Sequence, residues 1–307
     1  MRRELAFLTA LSVALAAVVL VATVGSAEDG SPSAQSVIPN LTGGGGSTWA
    51  FNDTNSAACG LVGAGLNVVD AVRPSTAFDA YDGAFYGYVD GTVVPGPPAS
   101  TGATFVEAGP VTMSGVQVNV RYDAIPGSAA VLREVVTFTN PDATNVNLTW
   151  TQYYNVGSDS QTTLLATGDG DTTLEAADSY SVSWDGVVSP GNDPVNTLVE
   201  FGDGPVLHPT FNAGCPNTFA GSDRLALDYA VTVPAGGTVR LMFFGVLDEN
   251  ADTPRAAAVA AAPSYPAMTA SSPLLAGLTA EQLATILNWN FPLPQAVAPT
   301  IVANFTG

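Results

Sequence analysis

The sequence predicts an all-β protein, one large antiparallel β-sandwich finished by two short C-terminal helices. Three observations carry that expectation. Valine, threonine and aromatic residues recur with a period of two, which is the signature of strands with one buried face. Gly-Asp, Asp-Gly, Asn-Pro-Asp and Pro-Ala-Gly-Gly breaks punctuate those runs and supply the turns. No strand–helix–strand alternation of the kind a parallel sheet needs is visible. Charged residues make up only 11% of the 307-residue chain, whereas Gly and Pro number 31 and 22, a balance that suits an extracellular β protein.

Taken in chain order, Arg2 and Arg3 precede an apolar run over 5–24, and Gly25-Ser26-Ala27 then places small residues where a signal peptidase cuts. The expectation is a signal peptide over 1–27. The alternative is an uncleaved anchor, because an apolar run of about 20 residues can span a bilayer. Residues 28–48 are rich in Ser, Pro and Gly and contain Gly43-Gly44-Gly45-Gly46, which reads as a flexible tether. A single β-sandwich domain is expected over 49–307.

Within it, 111–122 (VTMSGVQVNVRY) alternates, with Val116, Val118 and Val120 on one face and Gln117, Asn119 and Arg121 on the other. Runs at 131–139 (VLREVVTFT) and 145–154 (NVNLTWTQYY), split by Asn140-Pro141-Asp142, read as a hairpin of two long strands. Further strands are expected over 162–167, 172–174, 179–184, 197–201, 224–233 and 238–246. Asp252-Thr253-Pro254 opens an alanine-rich helix over 255–262, with Pro at its first position. Thr279-Ala280-Glu281-Gln282 fits a capping box, after which Leu283, Ile286 and Leu287 share one face.

The chain carries 8 basic and 27 acidic side chains, a net charge of −19, and no lysine. Removing residues 1–27 makes it one unit more negative. Such a field excludes nucleic acid as a partner, and it excludes anionic membrane surfaces beyond the signal or anchor segment, since both require positive charge. Cys59 and Cys215 are the only cysteines, and in an exported protein they are expected to pair.

Four features could carry chemistry. Asp159, Asp169, Asp171 and Asp185, with Asp178 and Asp203 nearby in sequence, sit in turns that could converge on calcium, which takes six to eight oxygens; ordinary solvated turn aspartates are the alternative. Asp248, Asn250 and Asp252 share the first spacings of a calcium loop, but Thr253 and Val259 stand where Gly and Glu are needed. Tyr81, Phe85, Tyr86 and Tyr88, with Asp79, Asp82 and Asp90, could form an exposed platform for sugar rings; alternatively the rings fill the core. His208 beside Pro209 has only Asp203 close in sequence as an orienting partner. Glu134 and Glu200 could act as a glycosidase-like carboxylate pair if the fold brings them together. Asn-x-Ser/Thr sequons stand at Asn40, Asn52, Asn147 and Asn304.

The segment VLREVVTFTNPDATNVNLTWTQYYNVGSDSQTTLLATGDGDTTLEAADSYSVSWDG, with VTVPAGGTVRLMFFGVL and LLAGLTAEQLATILNW downstream, resembles a loose group of exported bacterial β-sandwich proteins and surface-protein modules. The likeness covers roughly 65–290 and implies location and fold without an activity. The long strands are also similar to the supersandwich of galactose-mutarotase-like and lyase-associated domains. That family's catalysis uses histidines and a glutamate; with His208 alone, its site does not carry over. The leading expectation is therefore a secreted or cell-surface β-sandwich module that binds carbohydrate or another surface component, without resident cofactor unless calcium is bound. A carbohydrate-active hydrolase or epimerase relative and a structural stalk component are the alternatives.

Overall fold

The protein was analysed as a computed structural model that describes residues 38–292 apart from 54, 75, 77–78, 97–99, 159–160, 187–192, 218 and 220–221. The expected signal sequence, Asp159 and Asn304 lie outside the described residues.

The described strands form three sheets that are antiparallel but for one short pairing, and two short helices follow near the C-terminal end. One sheet runs β13 (Thr163–Thr167), β14 (Tyr180–Trp184), β15 (Val195–Val199), β18 (Thr238–Asp248), β11 (Ala130–Thr139), β10 (Val116–Ile125), β9 (Phe105–Met113) and β8 (Ser100–Thr101). The facing sheet runs β16 (Thr210–Phe211), β17 (Arg224–Val233), β12 (Val146–Asn155), β6 (Tyr86–Val89), β7 (Thr92–Val93), β4 (Leu61–Ala64) and β3 (Asn55–Ala58). A three-stranded sheet of β1 (Leu41–Thr42), β2 (Thr48–Asn52) and β5 (Asn67–Val72) joins the same core through Leu41, Trp49, Phe51 and Val68. The sandwich expected from the period-two pattern is therefore present.

Its connectivity differs from the expectation at two places. The 131–139 and 145–154 runs are not a hairpin: β11 lies in one sheet and β12 in the other. The break at Asn140-Pro141-Asp142 is part of an arch across the roughly 10 Å between facing sheets. Both strands point alternate apolar residues into the same interior, so Phe138 and Trp150 meet edge to face at 5.6 Å across the core. β17 and β18 make a second arch beside the first, β11 pairing with β18 and β12 with β17 along ten residues each. The arches are bonded together where they cross, Asn140 N–H to the Gly237 carbonyl and Gly236 N–H to that of Asp142. Conversely, 111–122 is two strands: β9 ends at Met113, and Ser114-Gly115 turns the chain into β10. Residues 172–174 form no strand: 172 and 173 are a bend in which Thr173 N–H donates to the Asp171 carboxylate.

The expected tether ends earlier than its composition suggests. Residues 38–48 belong to the folded body, with Ile38, Leu41 and Ser47 buried. Gly45 N–H donates to the Gly127 carbonyl, and a side chain at Gly44 would collide with the Ala129 carbonyl. The glycines serve close approach here, not looseness.

The C-terminal segment packs on the outer face of the eight-stranded sheet. α1 (Asp252–Ala261) starts with no side-chain cap, so Asp252 sits inside the first turn instead of before it. α2 (Ala280–Ala284) has the expected capping box, Thr279 and Gln282 exchanging both bonds. Leu283, Ile286 and Trp289 bury against Val135, Met242 and Phe244 of the sheet.

Cys59 and Cys215 are joined, tying the β3–β4 turn to the stretch before β17. Together with Leu61, Val93 and Ala226 they close a small second core over Tyr86, Tyr88 and Tyr153, on the outer face of the seven-stranded sheet. The crosslink spans 156 residues of sequence, and in the chain-entropy account such a loop contributes about 5 kcal/mol. Replacing both cysteines by serine is expected to lower unfolding free energy by up to that amount and to weaken the tyrosine near-ultraviolet dichroism. Chemical denaturation followed by both signals checks it, and unchanged curves would assign the crosslink no structural share.

Candidate functional site

The eight-stranded sheet alternates strictly at its centre. Val118, Val120 and Tyr122 of β10, and Leu132, Glu134, Val136 and Phe138 of β11, face the interior and are buried. Between them Asn119, Arg121, Asp123, Arg133, Val135 and Thr137 face outward. The helical segment covers this outer face over part of the sheet, and beside its edge the polar rows of β9, β10 and β11 floor an open cleft of about 510 Å³. Ala276, Gly277, Leu278 and Gln282 line it from the C-terminal segment, and Thr104 and Pro126 contribute at the strand ends.

Strand register sets the cleft's chemistry. Asp123 lies opposite Arg133 on β11, Arg121 opposite Glu107 on β9, and Asn119 opposite Thr137. Arg133 is almost fully buried: one guanidinium nitrogen donates to Asp123 at 2.9 Å, and another donates to the Leu274 and Ala276 carbonyls at 2.9 and 3.1 Å. It therefore bolts the cleft wall to its floor. Asp123 gives its other oxygen to the Nε and Nη2 of Arg121, at 2.9 and 2.8 Å. Arg121 also lies flat on the Phe105 ring, 4.0 Å from its centroid. Held from two sides, Arg121 has its third nitrogen, Nη1, in a looser ion pair with Glu107 at 3.9 Å. Such charge-assisted, planar contacts hold their geometry well.

The other candidates are placed differently. Tyr81, Phe85, Tyr86 and Tyr88 are buried and present no platform. Tyr81 and Phe85 fill the inter-sheet core, where Phe85 meets Tyr154 edge to face at 5.0 Å, while Tyr86 and Tyr88 lie in the second core. β6 alternates these tyrosines with Gly87 and Val89, and Gly87 is required because a side chain there would enter the Trp150 ring. Asp82 is exposed, but its backbone is occupied with Asn155. Asp90 caps a turn, accepting from Thr149 N–H and Ser114.

Of the aspartate series, the described members Asp169, Asp171 and Asp185 do not converge. Asp169 and Asp171 share the loop between β13 and β14, whereas Asp185 follows the far end of β14, about 14 Å away along the ladder. Asp169 accepts from the Asp171 amide and the Thr167 hydroxyl, which hold its carboxyl below the usual range. Asp171 accepts from Thr173 N–H at 2.6 Å, and Asp185 from Asn250 at 3.0 Å. Asp178 accepts from the Asp169 and Glu175 amides, although burial keeps its carboxyl above the ordinary value. No group of three or more His, Cys, Asp or Glu side chains is placed to share a metal among the described residues. His208 is exposed and stacks edge-on to Phe201 rather than on a carboxylate.

Glu134 and Glu200 do come together, in the closed core and not in the cleft. Glu134 stands opposite Phe243 on β18, and Val199 opposite Phe244 sets Glu200 on that residue's other side. Both carboxyls are buried. Sequence reasoning missed the cleft residues Glu107, Asp123, Arg133, Thr137 and Gln282. The usable signal was that two of the chain's few arginines occupy strand positions in VRYD and VLREV.

No family model and no curated protein matches the chain. Among solved structures, a polysaccharide lyase is similar over 68% of this chain and 34% of its own, at 13% identity and a TM-score of 0.37. The chain thus spans about a third of that protein's length. Among the described residues no helix is long and apolar enough to cross a membrane.

Because Asp169, Asp171 and Asp178 are bonded within their own loop and Asp185 by Asn250, neither added calcium nor a chelator is expected to move the melting temperature. A scanning melt in both conditions checks this; a rise of several degrees with calcium would reveal a site.

Proposed function

We propose that the outer-face cleft binds a saccharide unit and that the protein is an exported binding module of the cell surface or secretome. The observation that carries this reading is the Glu107–Arg121–Asp123–Arg133 network flooring a cleft the size of a small ligand. Arg121 Nη1, the Asn119 amide, the Thr137 hydroxyl and the free amide nitrogen of Gln282 offer mixed donors and acceptors within one concavity. Sugar hydroxyls need that mixture, being donors and acceptors at once. Three of those four groups stand on paired strands, so little ordering cost is incurred when a ligand arrives.

Two further observations favour binding over hydrolysis. Asp123 spends both oxygens on arginines, which leaves neither to approach a substrate. Glu134 and Glu200, the acids the sequence offers as a carboxylate pair for glycoside cleavage, are closed off in the core. The paired cysteines fit an oxidising compartment, in keeping with export.

The test is a glycan array followed by calorimetry on the best binder. Arg121→Ala is expected to weaken binding at least tenfold, as loss of one charge-assisted bond does, and Asn119→Ala several-fold, with folding intact. Absence of any glycan binding, or variants that bind like the wild type, would overturn the reading.

A further inference from the structure

Glu134 and Glu200 sit where a sandwich ordinarily places leucine or valine. Both are buried, and they flank Phe243 on adjacent strands, which puts their Cα atoms about 10 Å apart. The side chains that reach across from the opposite sheet to bond them are neutral, as are Tyr122 on β10 beside Glu134 and Asn288, which donates to the Glu200 carbonyl at 2.8 Å. Gln152 Nε2 donates to Glu134 Oε2 at 2.6 Å, and Gln152 in turn accepts from Trp150 Nε1 at 2.9 Å. Tyr154 donates to Glu200 Oε2 at 3.1 Å, and Tyr229 to the Glu200 carbonyl at 3.2 Å. The second oxygen of each carboxyl, Oε1, is buried with no partner.

No arginine answers this pair. The titratable groups around it are Tyr122 on β10, which gives its hydroxyl to the Phe85 carbonyl, Tyr154 on β12 and Tyr229 on β17. Arg133, next to Glu134 in sequence, points to the opposite face. Two buried carboxylates without a cation are too costly to coexist as ions, and such groups stay neutral instead.

We propose that Glu134 and Glu200 are a pH-operated latch between the two sheets: as neutral acids they hold the sandwich closed, and loss of a proton loosens it. Burial pushes both carboxyls up, that of Glu200 to about 8. An unfolded glutamate titrates near 4.5. Between those values the folded chain keeps a proton that the unfolded chain has released, so the latch contributes fully below about pH 4.5. Its contribution falls as pH rises, the Glu200 share being gone above about 8.

The latch is wired to the cleft. Arg133–Glu134–Val135 and Arg121–Tyr122–Asp123 alternate between core and cleft floor, so loosening the core face unsettles Arg121. That consequence rests on the saccharide-binding reading; the latch itself does not, and its test needs no ligand.

On the full chain, the folding equilibrium is measured by chemical denaturation from pH 5 to 8, for wild type and for Glu134→Gln with Glu200→Gln. Glutamine keeps the acceptor oxygen and volume but cannot titrate. The wild-type folding constant is expected to fall more steeply than the variant's, by up to tenfold per pH unit for each of the two carboxyls. Asp70, raised to about 7 by burial, contributes equally to both. Equal slopes overturn the proposal. Should the variant not fold, infrared spectra of Asp70→Asn in heavy water decide: with that carboxyl removed, a protonated-carboxyl band at pH 7 that fades toward pH 9 supports the latch, and its absence at pH 7 refutes it.

Discussion

The fold depends on one constraint: the two arches must cross between the sheets side by side. β11 and β18 are neighbours in one sheet, β12 and β17 in the other, and the links joining them are bonded to each other at Asn140, Asp142, Gly236 and Gly237. Asn140 also gives its side-chain amide to the Thr144 and Val233 carbonyls, so the crossing has few loose backbone groups. Once the arches are set, the registers of all four strands follow. Which residues face inward is then decided for both sheets, because a slip of one residue would turn every side chain to the other face.

From that registration comes a division of labour along β10 and β11. Successive residues serve the core and the cleft by turns. The inner row gathers Tyr122 and Glu134 among apolar neighbours, while the outer row assembles Arg121, Asp123 and Arg133. Arg133 extends the outer row beyond the sheet by holding the Leu274 and Ala276 carbonyls. A buried guanidinium without partners would be strongly destabilising, so these bonds make the position of the C-terminal wall a condition of folding rather than an afterthought.

The layers, the period-two faces of β10 and the capping box of α2 were legible in the sequence, since local pattern and backbone chemistry determine them. What was not legible is which strands pair. Asn140-Pro141-Asp142 reads the same whether it closes a hairpin or begins an arch, and only the partner strands decide. The Gly43–Gly46 run misled for a related reason: glycine marks both flexible tethers and places where backbones touch, and here Gly44 lies against Ala129. The aromatic run 81–88 was ambiguous between platform and core, and β6's central position in its sheet settled it as core. The cleft residues are scattered over 107–282 and share no motif, so only the three-dimensional register gathers them. Glu134 and Glu200 were visible as candidates, but their seclusion was not.

One consequence follows from how the sheets end. Open sheets expose rows of unpaired backbone at both margins, and a Val- and Thr-rich chain with few charged residues is a ready template for polymerisation. Two of the four margins of the large sheets are strands of only two residues, β8 and β16, and the other two, β3 and β13, have four and five. A neighbouring molecule finds little ladder to extend, and the net charge of −19 repels it at longer range. Truncated borders and a shared negative charge together let so β-rich a protein stay dispersed at high concentration.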